Sequence, residues 1–103
     1  ELASGIQLLD KNTFEDAISR RRIQLVDVRT PEEYEAGHIE KATNIDFLAD
    51  NFEQNIQEIN KDRPVFIYCR SGGRSGQAAE LMKKLGFKKI YDLRGGYLSW
   101  SEQ

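Results

Sequence analysis

The sequence predicts an α/β protein in which helices cover both faces of a parallel sheet. Short apolar runs rich in β-branched and aromatic residues are typical of buried strands, and amphipathic segments with helix-capping signals separate them. Because strands and helices alternate, we expect right-handed crossovers and parallel strands. The chain has 103 residues, enough for one ordinary domain and too few for two, so we predict a single domain over residues 1–103.

The composition narrows the classes of function. Hydrophobic residues make up 39% of the chain and charged residues 31%, as in soluble globular proteins. The net charge of −2, with both signs mixed along the chain, provides no basic face for nucleic acid. No apolar run approaches the roughly 20 residues that span a bilayer. We therefore expect neither nucleic acid nor a membrane as a partner. The cytoplasm is favoured as the location, although the chain begins at Glu1 and an exported form with a removed leader stays open.

The first helix signal begins at Asn12, an N-cap residue type followed three positions later by Glu15. Its apolar positions follow the i, i+3, i+4 spacing of one helix face: Phe14, Ala17 and Ile18. We expect this helix to end near the basic residues 20–22. Because cations are favoured at a helix C-terminus, these arginines are interpreted as helix-end residues rather than as a nucleic-acid contact.

A buried strand and a second helix come next. Residues 23–28 form an apolar run bounded by charge, which predicts a strand covered on both faces. Thr30 then offers an N-cap, Pro31 suits the first helical position, and Glu33 completes the capping signal. Gly37 marks the end of this short helix.

The middle of the chain again predicts a helix followed by a strand. Residues 47–59 have apolar residues at helical spacing and predict an amphipathic helix, with these residues on its buried face: Leu48, Phe52, Ile56 and Ile59. Residues 64–68 form the most strand-like segment of the sequence, and it ends at Cys69.

The last part of the chain predicts two further helices and a strand. After the loop of residues 70–75, a helix is expected to run up to Gly86, with an apolar face made of Ala78, Leu81, Met82 and Leu85. Residues 89–93 predict a strand. The glycine pair at residues 95–96 then turns the chain into a final short helix that carries Trp100.

The residue with the clearest chemistry is Cys69. Ligands of open α/β sheets bind beyond the carboxyl ends of the strands, and Cys69 is expected at that edge. The glycines and serines of residues 70–76 allow successive backbone N–H groups to turn inward, and the following helix adds partial positive charge at the same place. Both features favour the thiolate, which is the reactive form of cysteine. A buried core cysteine is the alternative, but that role does not require a loop of glycines, serines and two arginines.

Cys69 is the single cysteine of the sequence. An intrachain disulfide is therefore excluded, and one cysteine cannot by itself supply the several ligands of a structural zinc site. We expect no metal and no cofactor. Any thiol chemistry at Cys69 must finish with an external partner.

The loop of residues 69–75 resembles the active-site loop of the rhodanese family. The resemblance extends along most of the chain, to DVR at 27–29, EY at 33–34, GHI at 37–39, ATNI at 42–45 and LRGG at 93–96 with Trp100. It implies a rhodanese-like fold with a five-stranded parallel sheet, and it implies the activity of a thiosulfate sulfurtransferase.

The resemblance also implies roles for the loop residues. Cys69 would be the nucleophile that takes a sulfur atom from thiosulfate or a persulfide donor and holds it as a persulfide. Sulfite would leave when thiosulfate is the donor, and the sulfur would then pass to cyanide, a small thiol or a protein thiol. The arginines would attract the anionic donor. The substrate-binding residues would be Arg70, Ser71, Gly72, Gly73, Arg74 and Ser75.

Two residues depart from the family's usual pattern. Lys41 stands where glycine is usual, and Asp46 stands where proline is usual. We expect both residues on a turn away from the loop of Cys69, so that they affect the local backbone, or a partner-facing surface, more than the chemistry.

Three polar residues outside the loop also need an interpretation. Asp27 and Arg29 lie near a strand end and could border the site as supporting residues. The favoured interpretation is structural: Asp27 accepts a hydrogen bond from loop backbone, and Arg29 pairs with Glu33. His38, the single histidine, is interpreted as a hydrogen-bonding structural residue rather than an acid or base.

Two other functions stay open. A cysteine phosphatase has a similar loop but places five residues between the cysteine and the closing arginine, whereas only residues 70–73 separate Cys69 from Arg74. We expect this loop to be too tight for a phosphoryl group. A non-catalytic docking module is the other alternative, because rhodanese-like domains also occur in that role. The retention of Cys69 and both arginines argues against it.

Overall fold

The computed structural model describes residues 4–20 and 22–101, which contain one five-stranded sheet with helices on both faces. The strands are β1 (Ile6–Leu9), β2 (Gln24–Asp27), β3 (Thr43–Asn44), β4 (Val65–Tyr68) and β5 (Ile90–Leu93). The helices are α1 (Lys11–Ile18), α2 (Pro31–Ala36), α3 (Phe52–Ile56), α4 (Gly73–Lys84) and α5 (Gly96–Ser101). The strand order is β1-β5-β4-β2-β3, and every neighbouring pair is parallel. The predicted fold class is confirmed.

The three strands predicted from apolar runs occupy the centre of the sheet. All four residues of β4 are buried, because neighbouring strands pair with it on both sides and helices cover both of its faces. The edge strands β1 and β3 were not predicted from their own residues. β3 has only two residues, too few for a periodic signal, and β1 has two exposed positions between buried ones.

Each face of the sheet has its own apolar core. On one face α3 and α4 pack over the central strands, and the fully buried residues there include Phe52, Ile56, Ile67, Ala78 and Met82. On the other face α1, α2 and α5 contribute Phe14, Tyr34, Tyr97 and Trp100. Cys69 lies on the α3/α4 face. In the part of the chain that the structure describes, no helix has the length and apolar character needed to cross a membrane.

The first helix begins two residues earlier than its capping signal predicts. Asp10 is the N-cap, since its side chain accepts a 2.8 Å hydrogen bond from the N–H of Thr13. The prediction that Asn12 is the N-cap is wrong. Asn12 lies inside α1, and Asp10 already accepts the hydrogen bond from the N–H of Thr13. The helix ends at Ile18, so Arg20 and Arg22 follow the helix rather than form its last turn, and Arg21 lies outside the described residues.

The other helix ends agree with the sequence signals. Thr30 and Glu33 form a reciprocal capping box around Pro31, and α2 ends at Gly37 as predicted. Gly86 has a φ of 106°, and the N–H of the residue after it donates to the carbonyl of Met82 at 3.0 Å. This is the left-handed helix end predicted for α4.

The predicted helix over residues 47–59 is shortened to α3 (Phe52–Ile56). The Asp46 side chain accepts a 2.9 Å hydrogen bond from the N–H of Leu48, and this local turn replaces the first predicted helical turns. Leu48, predicted on the buried face, is 63% exposed, whereas Phe52 and Ile56 are buried as predicted.

Lys41 adopts a left-handed conformation with a φ of 78°. It sits in a turn in which the N–H of Ala42 donates to the carbonyl of Ile39 at 3.0 Å. The resembling family usually has glycine here, so the backbone keeps a conformation that glycine adopts without strain. For a lysine this conformation costs about 1 to 2 kcal/mol.

Gly96 is the point at which α5 touches the loop of Cys69. Its φ is 62°, and a Cβ atom at this position would lie 2.5 Å from the carbonyl oxygens of both Cys69 and Arg70. Real Cβ atoms do not approach oxygen so closely. The contact between helix and loop therefore requires glycine for two reasons, backbone conformation and space.

We predict that Gly96→Ala lowers the free energy of unfolding by about 2 to 4 kcal/mol, because it adds left-handed strain to a steric overlap. Gly76→Ala is the matched control. A Cβ atom at Gly76, inside α4, would meet nothing within 4 Å, so the same substitution should stabilise by about 0.5 to 1 kcal/mol. Urea denaturation of both variants measures the difference. Equal effects at the two positions would contradict the proposed close approach.

Candidate active site

Cys69 directly follows β4, at the carboxyl edge of the sheet, and is only 1% exposed. The backbone N–H of Gly72 donates to its Sγ atom at 3.0 Å. Gly72 is the N-cap of α4 and has a left-handed φ of 118°, which aims its N–H at the sulfur. The sulfur therefore lies at the positive end of a 12-residue helix, where negative charge is stabilised.

Two hydrogen bonds from α5 set the orientation of the loop. The N–H groups of Tyr97 and Leu98 donate to the carbonyls of Cys69 and Arg70 at 2.7 and 3.0 Å. The peptide bonds of the described residues are trans, so the N–H of each of these peptides points opposite to its carbonyl. The N–H groups of Arg70 and Ser71 are thus directed away from α5. This is the backbone arrangement that an anion-binding loop requires.

Ser75 and Asp92 form a buried polar cluster with the thiol. The Cys69 Sγ lies 3.4 Å from Ser75 Oγ, with the thiol as donor, and Ser75 is fully buried. The Ser75 hydroxyl donates to the carbonyl of Gly72 at 3.3 Å, and the carboxyl of Asp92, which is 2% exposed, lies beside Ser75. Burial raises the pKa of Asp92 to about 6, and the neighbouring Ser75 side chain offsets part of that rise. The sequence pattern predicts Asp92 only as a strand residue, although a carboxylate inside an apolar central strand is a signal of a special environment.

Arg74 pairs with Glu33 through two parallel hydrogen bonds of 2.7 and 3.0 Å. The predicted pair of Arg29 with Glu33 is therefore wrong, because the first turn of α2 faces the first turn of α4. The hydrogen bonds from Arg74 are the main reason why the pKa of Glu33 falls to about 2, with a smaller contribution from its capping contact with Thr30. Glu33 thus ties the start of α2 to the loop of Cys69.

Three charged groups act on Arg74: Glu33, Cys69 and Asp46. Its pKa is raised first by the Glu33 hydrogen bond and charge, and then by the charges of Cys69 and Asp46. Asp46 acts on Arg74 through its charge, and its own side chain accepts the N–H of Leu48 in a local turn. Arg70, by contrast, is exposed, and no ion pair of its side chain is found within residues 4–20 and 22–101.

Asp27 and Arg29 form a buried ion pair on the face of the sheet opposite Cys69. The Arg29 Nη2 lies 2.7 Å from Asp27 Oδ2, and the N–H of Arg29 donates to Asp27 Oδ1 at 2.8 Å. The predicted backbone hydrogen bond to Asp27 is thus confirmed. The Arg29 Cζ lies 4.4 Å from the ring centroid of Tyr97, on α5. Arg29 thus contacts the helix that orients the loop, and Asp27 holds Arg29 in place.

His38 makes local contacts with α2. His38 is exposed, stacks on Tyr34 with 3.7 Å between ring centroids, and places its Nδ1 atom 2.8 Å from that residue's carbonyl. Among the described residues, no group of three or more His, Cys, Asp or Glu side chains could hold a metal ion.

The comparison with known proteins places this geometry in a family. The family model for the rhodanese-like domain matches residues 10–103. The chain belongs to this family. A rhodanese-like domain protein from Staphylococcus aureus has a similar crystal structure, with a TM-score of 0.82 and 26% identity, covering 94% of this chain and 93% of that chain.

Sequence relatives of this rhodanese-like chain differ in length. It is 45% identical over 80 residues to the YqhL protein of Bacillus subtilis, covering 78% of this chain and 62% of YqhL. It is 30% identical over 99 residues to the thiosulfate sulfurtransferase GlpE of Shewanella oneidensis, covering 96% of both chains. Several relatives are longer, and the chain spans as little as 26% of their length.

The Arg74–Glu33 ion pair should make the stability of this rhodanese-like domain depend on pH. The pKa of Glu33 falls from 4.5 to about 2 on folding, so its contribution is fully present above pH 4.5 and is lost as the pH falls toward 2. We predict that Glu33→Gln destabilises the domain by about 1 to 2 kcal/mol at neutral pH, less than the full shift because the pair is partly exposed. The difference from the wild type should shrink through that pH window in denaturation experiments.

Glutamine at position 33 still accepts the hydrogen bond of the capping box, so this variant tests the ion pair and leaves the cap. Glu32→Gln, the same change at an exposed position on the same helix turn, is the control and should cost less than about 0.5 kcal/mol. A loss of stability for Glu33→Gln that is independent of pH would contradict the ion pair as its cause.

Proposed function

We propose that this chain is a sulfurtransferase in which Cys69 accepts a sulfur atom from thiosulfate or a similar anionic donor and passes it on from a persulfide. The observation that carries the proposal is the position of Sγ, 3.0 Å from the Gly72 N–H at the N-terminus of α4. A thiolate and a persulfide anion both gain from donors placed in this way.

The first proposed step is attack of the Cys69 thiolate on the outer sulfur of thiosulfate. A new S–S bond forms, the bond between the two sulfur atoms of thiosulfate breaks, and sulfite leaves with the electron pair of that bond. The terminal sulfur carries the negative charge of the persulfide. The inward-facing N–H groups of the loop, including those of Arg70, Ser71 and Gly72, favour this charge throughout the step.

The second proposed step returns Cys69 to its thiolate. A nucleophilic acceptor, such as cyanide, a small thiol in its thiolate form or a protein thiol, attacks the terminal sulfur. The S–S bond breaks, and its electron pair stays on Cys69 Sγ, where the Gly72 N–H again stabilises it. The 103 residues contain no second cysteine, so the acceptor must come from outside them.

The named relatives support sulfur transfer rather than the alternatives. GlpE, similar over nearly its whole length, is named a thiosulfate sulfurtransferase. The docking-module alternative predicts no need for a buried cysteine aligned with a helix N-terminus. The phosphatase alternative requires space for a tetrahedral phosphoryl group, and the loop between Cys69 and Arg74 is one residue shorter than such enzymes use.

The proposed anion site uses two arginines in different ways. Arg70 is exposed at the rim, so it attracts donors from solution. Arg74 is close enough for the charge of Cys69 to act on it, but Glu33 takes two of its N–H groups. The guanidinium has five N–H groups, so Arg74 retains donors for a bound anion. Gly73 and Ser75 complete the proposed binding loop.

We predict that thiosulfate adds the mass of one sulfur atom to the protein and that cyanide removes it. Intact-mass spectrometry before and after each reagent measures both steps. Because Cys69 is the single cysteine, Cys69→Ser should show neither change. Transfer of sulfur by the serine variant would contradict the mechanism.

The same samples separate the alternatives. Hydrolysis of an aryl phosphate by the wild type, without sulfur uptake, would favour a phosphatase. Absence of both reactions with thiosulfate, organic persulfides and aryl phosphates would favour a docking module. Full release of bound sulfur without any added acceptor would contradict the proposed need for an external acceptor.

We predict that Arg74→Ala slows persulfide formation from thiosulfate more than Arg70→Ala does. Loss of a charge-assisted hydrogen bond corresponds to about 1.5 to 3 kcal/mol, or roughly ten- to a hundredfold in second-order rate. Arg74→Ala also leaves the Glu33 carboxylate unpaired beside the loop. Arg74→Lys should recover part of the rate, because it restores the charge without the planar fork. Stopped-flow or quenched-flow mass measurements provide the rates.

Two controls separate the effects of charge. Adding Glu33→Gln to Arg74→Ala removes the unpaired carboxylate and should restore part of the lost rate, which a double-mutant cycle quantifies. Added salt should slow the wild type more than Arg70→Ala, because an exposed cation acts mainly by long-range attraction. A rate for Arg74→Ala equal to that of the wild type would exclude Arg74 from anion binding.

A further inference from the structure

We infer that a groove between α1 and the amino-terminal half of the sheet is a binding site for a small aromatic anion, a planar ring system that carries a carboxylate or a phosphate group. The groove has a volume of about 480 Å³, which is within the range of pockets that hold small ligands. The proposed sulfur transfer gives it no role. Its floor is formed by Leu9, Ile23, Phe66 and Tyr91, and its exposed rim by Arg20, Arg22 and Arg63.

The groove and Cys69 lie on opposite faces and toward opposite ends of the sheet. Cys69 follows the last residue of β4 and belongs to the core under α3 and α4. Phe66 is the second residue of β4 and belongs to the other core, and Ile23 and Pro64 come just before the first residues of β2 and β4. A ligand in the groove is therefore separate from the sulfur donor that Cys69 would meet.

Strand register makes the floor of the groove aromatic. Phe66 of β4 pairs with Tyr91 of β5, and Tyr91 pairs with Gln7 of β1, so these three side chains project from one face of the sheet. The Phe66 and Tyr91 rings stack, with 5.0 Å between their centroids and an interplanar angle of 24°. Tyr91 is only half-buried, so part of this stacked pair is open to the groove. Such a surface favours a planar ring, because aromatic rings gain from stacked or edge-on contacts with each other.

One side of α1 forms the wall of the groove. Thr13, Asp16 and Ala17 line it, and their i, i+3, i+4 spacing places them on a single helix face. The apolar residue of this face, Ala17, has a very small side chain. The groove occupies the space that a larger side chain would fill.

The rim of the groove is cationic although the chain as a whole is acidic. The groove is lined by three arginines and one acidic residue, Asp16, which gives a formal charge of +2, whereas the whole chain has −2. Within residues 4–20 and 22–101, none of the three guanidinium groups has an ion pair. Arginines without a carboxylate partner can bind the carboxylate or phosphate of a ligand through paired N–H groups.

The structure gives Arg20 and Arg22 a setting that differs from the one expected of helix-end residues. α1 ends at Ile18, so both arginines follow the helix and reach the groove. Arg22 has a left-handed φ of 61°, which is uncommon for a residue with a side chain, and a side-chain N–H of Arg63 donates to its carbonyl. Strained backbone of this kind is concentrated at ligand sites, where the surrounding structure holds it in place. Here it brings two arginines together at the rim.

A small ligand fits these observations better than a macromolecule. Nucleic acid binds along an extended basic face, whereas three arginines around one groove suit the one or two anionic groups of a small molecule. An acidic peptide would use the arginines but would give the stacked rings of the floor no role. The aromatic anion uses both features.

The first test is an NMR titration of the isotope-labelled protein with two probes, naphthoate and adenosine monophosphate, which combine a planar ring system with a carboxylate and a phosphate, respectively. The backbone signals of Gln7, Ala17 and Tyr91 should shift, and those of the Cys69 loop should not. Naphthamide, which has the same ring without the charge, should bind roughly tenfold more weakly than naphthoate. The tighter of the two anions identifies the preferred anionic group. No shift of the groove signals at millimolar concentrations of both anions would overturn the inference.

Separate variants test charge and space. Arg20→Gln and Arg22→Gly each remove one charge and should weaken binding about three- to tenfold, and glycine also suits the left-handed backbone at position 22. Arg94→Gln removes an exposed arginine outside the groove and should leave the affinity unchanged. Ala17→Phe fills the groove without a change of charge and should abolish binding. Wild-type affinity in the folded Ala17→Phe variant, or an equal loss in all three arginine variants, would overturn the proposed site.

The result does not depend on sulfur transfer. Sulfur loading of Cys69 by thiosulfate should be the same in the wild type and in Arg20→Gln, because the groove and Cys69 lie on opposite faces of the sheet. Loss of probe binding with normal loading, or the reverse, therefore shows which of the two proposals fails. Binding of a glutamate-rich peptide at the groove, with no response to either aromatic probe, would overturn the inference in favour of a protein segment as the occupant.

Discussion

The two hydrogen bonds from α5 to the carbonyls of Cys69 and Arg70 are the constraint on which the site depends. They turn the loop carbonyls outward and leave the N–H groups for the sulfur. The position of α5 depends in turn on Gly96, which permits the contact, and on the buried Asp27–Arg29 pair behind Tyr97. A buried ion pair on one face of the sheet thus helps to fix the orientation of the Cys69 loop at the carboxyl edge.

The central fold could be predicted from the sequence because its signals are local. The strands β2, β4 and β5 are largely buried on both faces, so they are mostly apolar in sequence, interrupted by Asp27 in β2 and Asp92 in β5. The helices α2 and α4 carry their own capping residues. The predictions of helix ends failed where a nearby residue could make a competing local hydrogen bond. Asp10 caps α1 in place of Asn12, and the Asp46 turn takes the residues that helical periodicity assigned to α3.

The position of the candidate nucleophile could also be predicted, because Cys69 and its loop form eight consecutive residues between a strand and a helix. The charges around them could not. Arg74 and Glu33 are 41 positions apart, and their pairing depends on how α2 packs beside α4. The effect of Asp46 on Arg74, and the environment of Asp92, likewise follow from tertiary packing and strand register. Under the proposed function, nearby carboxylates balance much of the positive charge of the loop, and directed N–H groups, rather than net charge, select the substrate.

The unequal edges of the sheet bear on association between copies of the chain. At one edge β3 offers only Thr43 and Asn44, and the Asn44 side chain is used to hold the backbone of Asp27 and Arg29. So short an edge is a poor template for an added strand. The other edge, β1, is four residues long and has an exposed leucine, Leu8. Strand addition and the early contacts of aggregation are therefore expected at β1, at the opposite edge of the sheet from β3.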